Sequence, residues 1–171
     1  MRNLETKARV NDLDRVRRLA LDIGAWDRGT QRDTDTYFRV SHGRLKLRVS
    51  DGVPLGTLIS YQRPDLMESR VSDYRLVSIP NPDSLRDALA ETLGVLVTVR
   101  KSRQLLLYGA TRIHLDHVDG LGTFTELETA LGDQSHAEAE AEHHFLRERL
   151  GLNEAEIVPV SYSDLLMGRT G

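Results

Sequence analysis

Residues 113–128 read IHLDHVDGLGTFTELE. With a period of two, His114 and Asp116 share one face of a strand while Ile113 and Leu115 share the other. Asp119-Gly120 supplies the reversal that closes a hairpin, and the return strand carries Glu126 and Glu128 on a common face. Three carboxylates therefore converge near one end of that hairpin. Like charges gathered this closely repel, so the cluster requires cations, from side chains or metal, or water around it. Glu5, Asp116, Glu126 and Glu128 are hard oxygen donors suited to Mg²⁺ or Mn²⁺, ions that share phosphate oxygens with a substrate.

Cations follow the same alternation. Arg44, Lys46 and Arg48 line one side of a strand whose other side is Leu45, Leu47 and Val49. Glu5, Lys7 and Arg9 share a face with Asn3, Lys101 and Arg103 repeat the pattern, and Arg112, His114 and Asp116 repeat it with mixed sign. Two architectures produce this. One is an antiparallel sheet with one face on a core and one in water. The other is a sheet curled into a barrel with its charged face inward, lining a tunnel for an anionic ligand. The preference for Arg, which forms forked hydrogen bonds to phosphate, and the concentration of acids on a few strands favour the barrel.

The elements that must position these residues alternate along the chain. Strand patterns fall at 4–10, 34–40, 44–49, 57–63, 74–79, 95–108, 111–118 and 123–131, with turn chemistry such as Asp51-Gly52 between them. Asp12 caps a helix whose apolar stripe is Leu13, Val16, Leu19, Ala20 and Ile23, and Gly24 stops it. Asn81-Pro82 opens a second helix to about residue 93, and Ser135 with Glu138 forms a capping box for a third that ends at Gly151. The segment 66–72 carries no clear pattern.

The 171 residues, 39% apolar, suit one domain, residues 1–171, with a sizeable core. The absence of cysteine excludes disulfides and thiolate zinc sites. A net charge of −3 gives no bulk attraction to nucleic acid or membrane, and no apolar run suits a leader or a span, so a cytoplasmic protein is expected. A histidine zinc site is disfavoured because His117 faces away from His114. No P-loop motif occurs, and sparse aromatics among the Arg-rich strands argue against single-stranded RNA. His136, His143 and His144 are expected to be solvated on the third helix, and Trp26 and Tyr37 to lie in the core.

Seven stretches, in this order and spacing, resemble one family: NLETK (3–7), DTDTYF (33–38), GRLKLR (43–48), YQRPD (61–65), VRKSR (99–103), RIHLD (112–116) and GLGTFTELE (120–128). They resemble the CYTH superfamily, the triphosphate tunnel metalloenzymes, which includes class IV adenylate cyclases, thiamine triphosphatases and inorganic triphosphatases. The resemblance covers nearly the whole chain. It implies an α+β fold, an eight-stranded antiparallel β-barrel forming a triphosphate tunnel with helices packed outside. It implies phosphate-binding roles for Lys46, Arg48, Arg63, Lys101, Arg103 and Arg112, and metal ligation of Mg²⁺ or Mn²⁺ by Glu5, Asp116, Glu126 and Glu128. The family's Glu-x-Glu-x-Lys signature matches at Glu5 and Lys7, and Lys7 is the residue expected to activate or orient the nucleophile, through a pKa lowered by neighbouring cations. Asn3 stands where the signature has its first acid. The implied activity is adenylate cyclase-like, ATP giving cyclic AMP and pyrophosphate. The alternatives are hydrolysis of tripolyphosphate or thiamine triphosphate, and a non-catalytic polyphosphate or nucleotide-binding module. A homodimer is the default assembly.

Overall fold

The computed structural model describes residues 2–62, 70–132 and 135–168. Eight strands run β1 (Arg2–Arg9), β2 (Trp26–Phe38), β3 (Arg44–Ser50), β4 (Gly56–Gln62), β5 (Arg70–Ile79), β6 (Val95–Tyr108), β7 (Thr111–Val118) and β8 (Gly122–Ala130). All their pairings are antiparallel, in the order β1-β5-β4-β3-β2-β6-β7-β8. β1 pairs with both β5 and β8, so the sheet closes on itself and leaves no free edge. Eight strands enclose a space that side chains can fill or that can hold one small ligand.

Which face turns inward is decided by what covers the outside. α1 (Leu13–Asp22) and α3 (His136–Arg149) lie on the outer surface of the β1, β6, β7 and β8 wall. Val16 and Ala20 of α1 and Leu146 of α3 meet Ala8, Leu106, Ile113, Leu115 and Leu127, all 2% exposed or less. Each Leu or Ile buried there contributes roughly 1.5–3 kcal/mol. The aliphatic faces thus make the core outside the barrel, and the charged faces of the same strands point into it. The half-solvated sheet is excluded for these strands, because Lys7, Lys101, Arg103 and Glu126 are all less than a tenth exposed. On the outer face of β5, Val77 is 53% exposed.

The helix starts follow the expected capping. Asp12 accepts from the Arg15 amide (2.8 Å), and Ser135 and Glu138 form the reciprocal capping box. α2 (Pro82–Leu93) opens on Asn81 and ends at Gly94, whose φ of +79° suits glycine. Three features depart from the sequence pattern. β2 begins at Trp26, because a register shift between Asp27 and Thr30, at Gly29 with φ +92°, breaks the period of two. β5 begins at Arg70, ahead of its alternating part. After Gly151 come a short 3-10 helix (Glu154–Glu156) and α4 (Tyr162–Leu166), too short to register as periodicity. Among the described residues, no helix is long and apolar enough to cross a membrane.

Candidate active site

The barrel interior holds a cavity of roughly 530 Å³. Among the described residues that line it, seven are lysine or arginine and three are glutamate, so positive charge is in excess where a ligand would sit. Lys7, Lys46, Arg48, Lys101, Arg103, Arg112, Glu5, Glu126 and Glu128 all reach it, as the sequence pattern requires. Arg63 lies outside the described residues.

The β2, β3 and β6 side is organised by one carboxylate that carried no assigned role in the sequence reading. Asp35 is 1% exposed and accepts from Lys46 (2.9 Å), from both sides of the Arg48 guanidinium fork (2.7 and 2.8 Å) and from Lys101 (3.1 Å). The ladder explains this, since Asp35 lies directly across from Arg48 on β3. Burial pushes the Asp35 carboxyl up, but Arg48, Lys101 and Lys46 together hold it well below the usual carboxylate range. Lys101 is the reverse case. Burial and then the neighbouring Arg103 push its pKa down to about 7, against the opposing pull of Asp35.

The β1, β7 and β8 side carries the acids. Glu126 meets Lys7 (3.4 Å) and Arg103 (2.9 Å), and Glu128 accepts from Arg112 (2.9 Å). Burial raises the Glu126 carboxyl, while Lys7, then the neighbouring His114 and Arg103, override it and hold the group well below its ordinary pKa. Glu5 lines the cavity directly across the ladder from Glu128. Asp116 stands apart from these acids. It is fully buried, its two oxygens accept from the Arg103 fork (2.7 and 2.6 Å), and the Tyr162 hydroxyl donates to it (2.9 Å). Tyr162, from α4, also lies under Lys7 (Nζ to ring centre 4.3 Å) and packs edge-on against Phe124. The short helix therefore supplies a wall residue that no sequence signal announced.

Asn3 is buried and lines the cavity on the acidic side. In the amide orientation that satisfies both of its polar atoms, its oxygen accepts from Arg112 (3.0 Å) and its nitrogen donates to the Arg2 carbonyl (3.0 Å). Residues that could hold a divalent ion do converge. His114, Glu126 and Glu128 each offer a ligand atom within 4.8 Å of the others, and His114 Nδ1 is a buried nitrogen with no hydrogen-bond partner among the described residues. That donor set fits a divalent metal.

Three residues do not follow the sequence expectation. Trp26 is 64% exposed with Arg28 over its ring (4.5 Å), because it begins β2 at the barrel's end. Tyr37 is buried as expected but faces the cavity. His143 is 2% exposed, bonded to the Thr6 and Thr129 hydroxyls (2.8 Å each), while His136 and His144 are solvated. The apolar moment of α3 is blurred by its charges, which concealed that His143 faces the barrel.

The CYTH domain matches residues 1–162. No curated protein matches the chain. Among solved structures, a Pyrococcus horikoshii protein superposes with a TM-score of 0.85 at 21% identity, over 95% of this chain and 98% of that one. A protein of Vibrio parahaemolyticus described as a candidate adenylate cyclase superposes at 0.75 with 22% identity, over 96% and 97%. A candidate adenylyl cyclase of Hippeastrum, described as having a dominant triphosphatase activity, superposes at 0.62 with 18% identity, over 88% of each chain.

Proposed function

The chain belongs to the CYTH domain family, and from that premise we propose that it is a divalent-metal-dependent enzyme acting on a triphosphate inside its barrel, converting ATP to cyclic AMP and pyrophosphate. The observation that carries this reading is the ring of Lys46, Arg48, Lys101, Arg103 and Arg112 around one cavity. Buried cations already paired to carboxylates are held in fixed geometry and do not reorganise when phosphate oxygens arrive. Arg48 and Arg103 spend Nε and Nη2 on Asp35 and Asp116 and keep Nη1 to donate to those oxygens, while Lys46 and Lys101 act as point charges. Asp35 and Asp116 fix the directions of these groups.

Glu126 and Glu128, with His114 beside them, would hold the ion, which when bound neutralises charge on the phosphates. Lys7, held by Glu126 over the Tyr162 ring, is placed to orient the nucleophile. Lys101, with a pKa of about 7, exists in both protonation states near neutral pH and is able to accept the proton that the attacking hydroxyl gives up. In the cyclase reading that hydroxyl is the ribose 3′-OH attacking the α-phosphorus, with pyrophosphate leaving.

The same grip serves a water attacking the terminal phosphorus of tripolyphosphate or thiamine triphosphate, and the described activity of the Hippeastrum relative favours keeping this second reading. The contact of Asn3 with Arg112 favours a third, a polyphosphate- or nucleotide-binding module, since that amide oxygen faces a cation. The deciding experiment incubates the protein with Mg²⁺ or Mn²⁺ and, separately, ATP, tripolyphosphate and thiamine triphosphate, then resolves products by chromatography. Cyclic AMP with pyrophosphate is expected. Orthophosphate with the matching diphosphate product, and no cyclic AMP, replaces the cyclase with a triphosphatase. Binding without turnover, unchanged by Asn3→Glu, selects the binding module, whereas a large gain of turnover in Asn3→Glu identifies a weakened enzyme.

A further inference from the structure

His114 is the one member of the converging donor group that is not a carboxylate, and its environment is unusual. Its side chain is 6% exposed and it borders the cavity. Nδ1 stands 3.6 Å from a Glu128 oxygen and 3.9 Å from a Glu126 oxygen, too far to hydrogen-bond to either. It finds no other hydrogen-bond partner among the described residues. Leaving a buried polar nitrogen unsatisfied costs roughly 1–3 kcal/mol, so a partner beyond the described residues is called for. The spacing suits that partner. Two donors each about 2.1 Å from a common ion stand about 3–4 Å apart, which is how His114 Nδ1 stands to both glutamates.

The opening is clearest at Glu128, whose cationic partner takes the other oxygen, whereas at Glu126 the oxygen that faces the imidazole is shared with Arg103. Arg112 holds the Glu128 oxygen remote from the imidazole, since it bonds Oε2 while Oε1 is the atom nearer His114. Lys7 reaches Oε1 of Glu126, whereas Oε2 faces the imidazole and also accepts from Arg103.

We propose that His114 Nδ1 is a direct ligand of the metal held by Glu126 and Glu128, and that this nitrogen makes the site select a borderline divalent ion such as Mn²⁺ over Mg²⁺. Magnesium prefers an all-oxygen shell and keeps its waters, whereas imidazole strengthens binding of first-row transition ions. The inference rests on the metal-dependent reading above and adds the donor atom and the class of ion.

The test is pulsed electron paramagnetic resonance of Mn²⁺ on the whole protein, with Mn²⁺ and Mg²⁺ affinities by calorimetry. The expected result is a ¹⁴N coupling of directly bound imidazole, lost in His114→Phe and in Glu126→Gln/Glu128→Gln. In His114→Phe, Mn²⁺ affinity should fall about ten- to hundredfold, the range for disturbing groups that fix a metal site, with Mg²⁺ affinity little changed. The wild-type spectrum and the wild-type Mn²⁺ to Mg²⁺ ratio need no variant, so misfolding of His114→Phe leaves the inference testable. Mn²⁺ bound in a glutamate-dependent way without ¹⁴N coupling, or with Mg²⁺ preferred, overturns the role of His114 and leaves the metal reading standing. No Mn²⁺ or Mg²⁺ binding in the wild type overturns both.

Discussion

The two walls of the barrel solve opposite electrostatic problems. On the β2, β3 and β6 side, Asp35 is surrounded by Lys46, Arg48 and Lys101, so cations outnumber the acid that organises them and a ligand anion completes the balance. On the β1, β7 and β8 side, Glu5 lines the cavity, Glu126 and Glu128 meet Lys7, Arg103 and Arg112, and a histidine nitrogen between these two has no hydrogen-bond partner among the described residues. The first wall is built to receive phosphate and the second to receive a cation. The two walls meet at Arg103, which reaches from β6 to Asp116 and Glu126.

That contrast can be broken from either side. The largest effect is expected on the acidic wall. Glu126→Gln with Glu128→Gln should lower metal-dependent turnover by roughly a hundredfold to a thousandfold or more, the scale for losing preorganised charge at a reacting centre, while the circular dichroism spectrum stays native. Retained turnover would remove the metal from these residues.

On the cationic wall, Asp35→Ala leaves three buried cations facing one another, and its cost should be about 3–5 kcal/mol, read as a lowered urea midpoint. Asp35→Asn, which keeps a hydrogen-bond acceptor, should cost less. Equal stability of wild type and Asp35→Ala would mean that the cations do not depend on Asp35.

A third measurement separates the barrel's chemistry from its outer packing. His143 is on the buried face of α3, and burial first, then Arg147, lower its pKa from 6.5 to about 4. As pH falls below 6.5 the unfolded chain takes up this proton while the folded protein does not until about 4, so stability is lost across that window, on the order of 3 kcal/mol in all. His143→Gln should flatten the denaturation midpoint between those limits. An equally steep profile in the variant would assign the loss to other groups.

The smallest effect concerns Lys101. Its pKa of about 7 means that the cationic form is lost as pH rises through neutrality, so tripolyphosphate binding should weaken by roughly tenfold between pH 6 and 9, about the worth of one charged hydrogen bond. Lys101→Arg should hold affinity constant over that range. A profile as steep in Lys101→Arg as in the wild type would point to another titrating group.

Much of this was legible in the residues. Period-two alternation with charge on one face of β1, β3, β6 and β7 fixed which side chains share a wall, and the ordered motifs from Asn3 to Glu128 carried the family and hence the closed barrel. The rest depended on information that one strand does not contain. Asp35 became visible as the hub of the cationic wall once the β2 to β3 register put it across from Arg48. Asp33 and Asp35 alternate on one face, and pairing that face with Arg48 was the signal available. Tyr162 comes from a five-residue helix with no periodicity to read. Trp26 lies beyond a bulge that resets the alternation. His114 was grouped correctly by face, but its lack of a partner is a property of three strands together.

The most direct measurement is calorimetric titration of tripolyphosphate into the wild type and into Lys46→Ala/Arg48→Ala. Each lost charged contact is worth about 1.5–3 kcal/mol, so the double variant should bind at least about a hundredfold more weakly. Undiminished binding in that variant would contradict the account, because the inward cations would then be structural partners of Asp35 and nothing more.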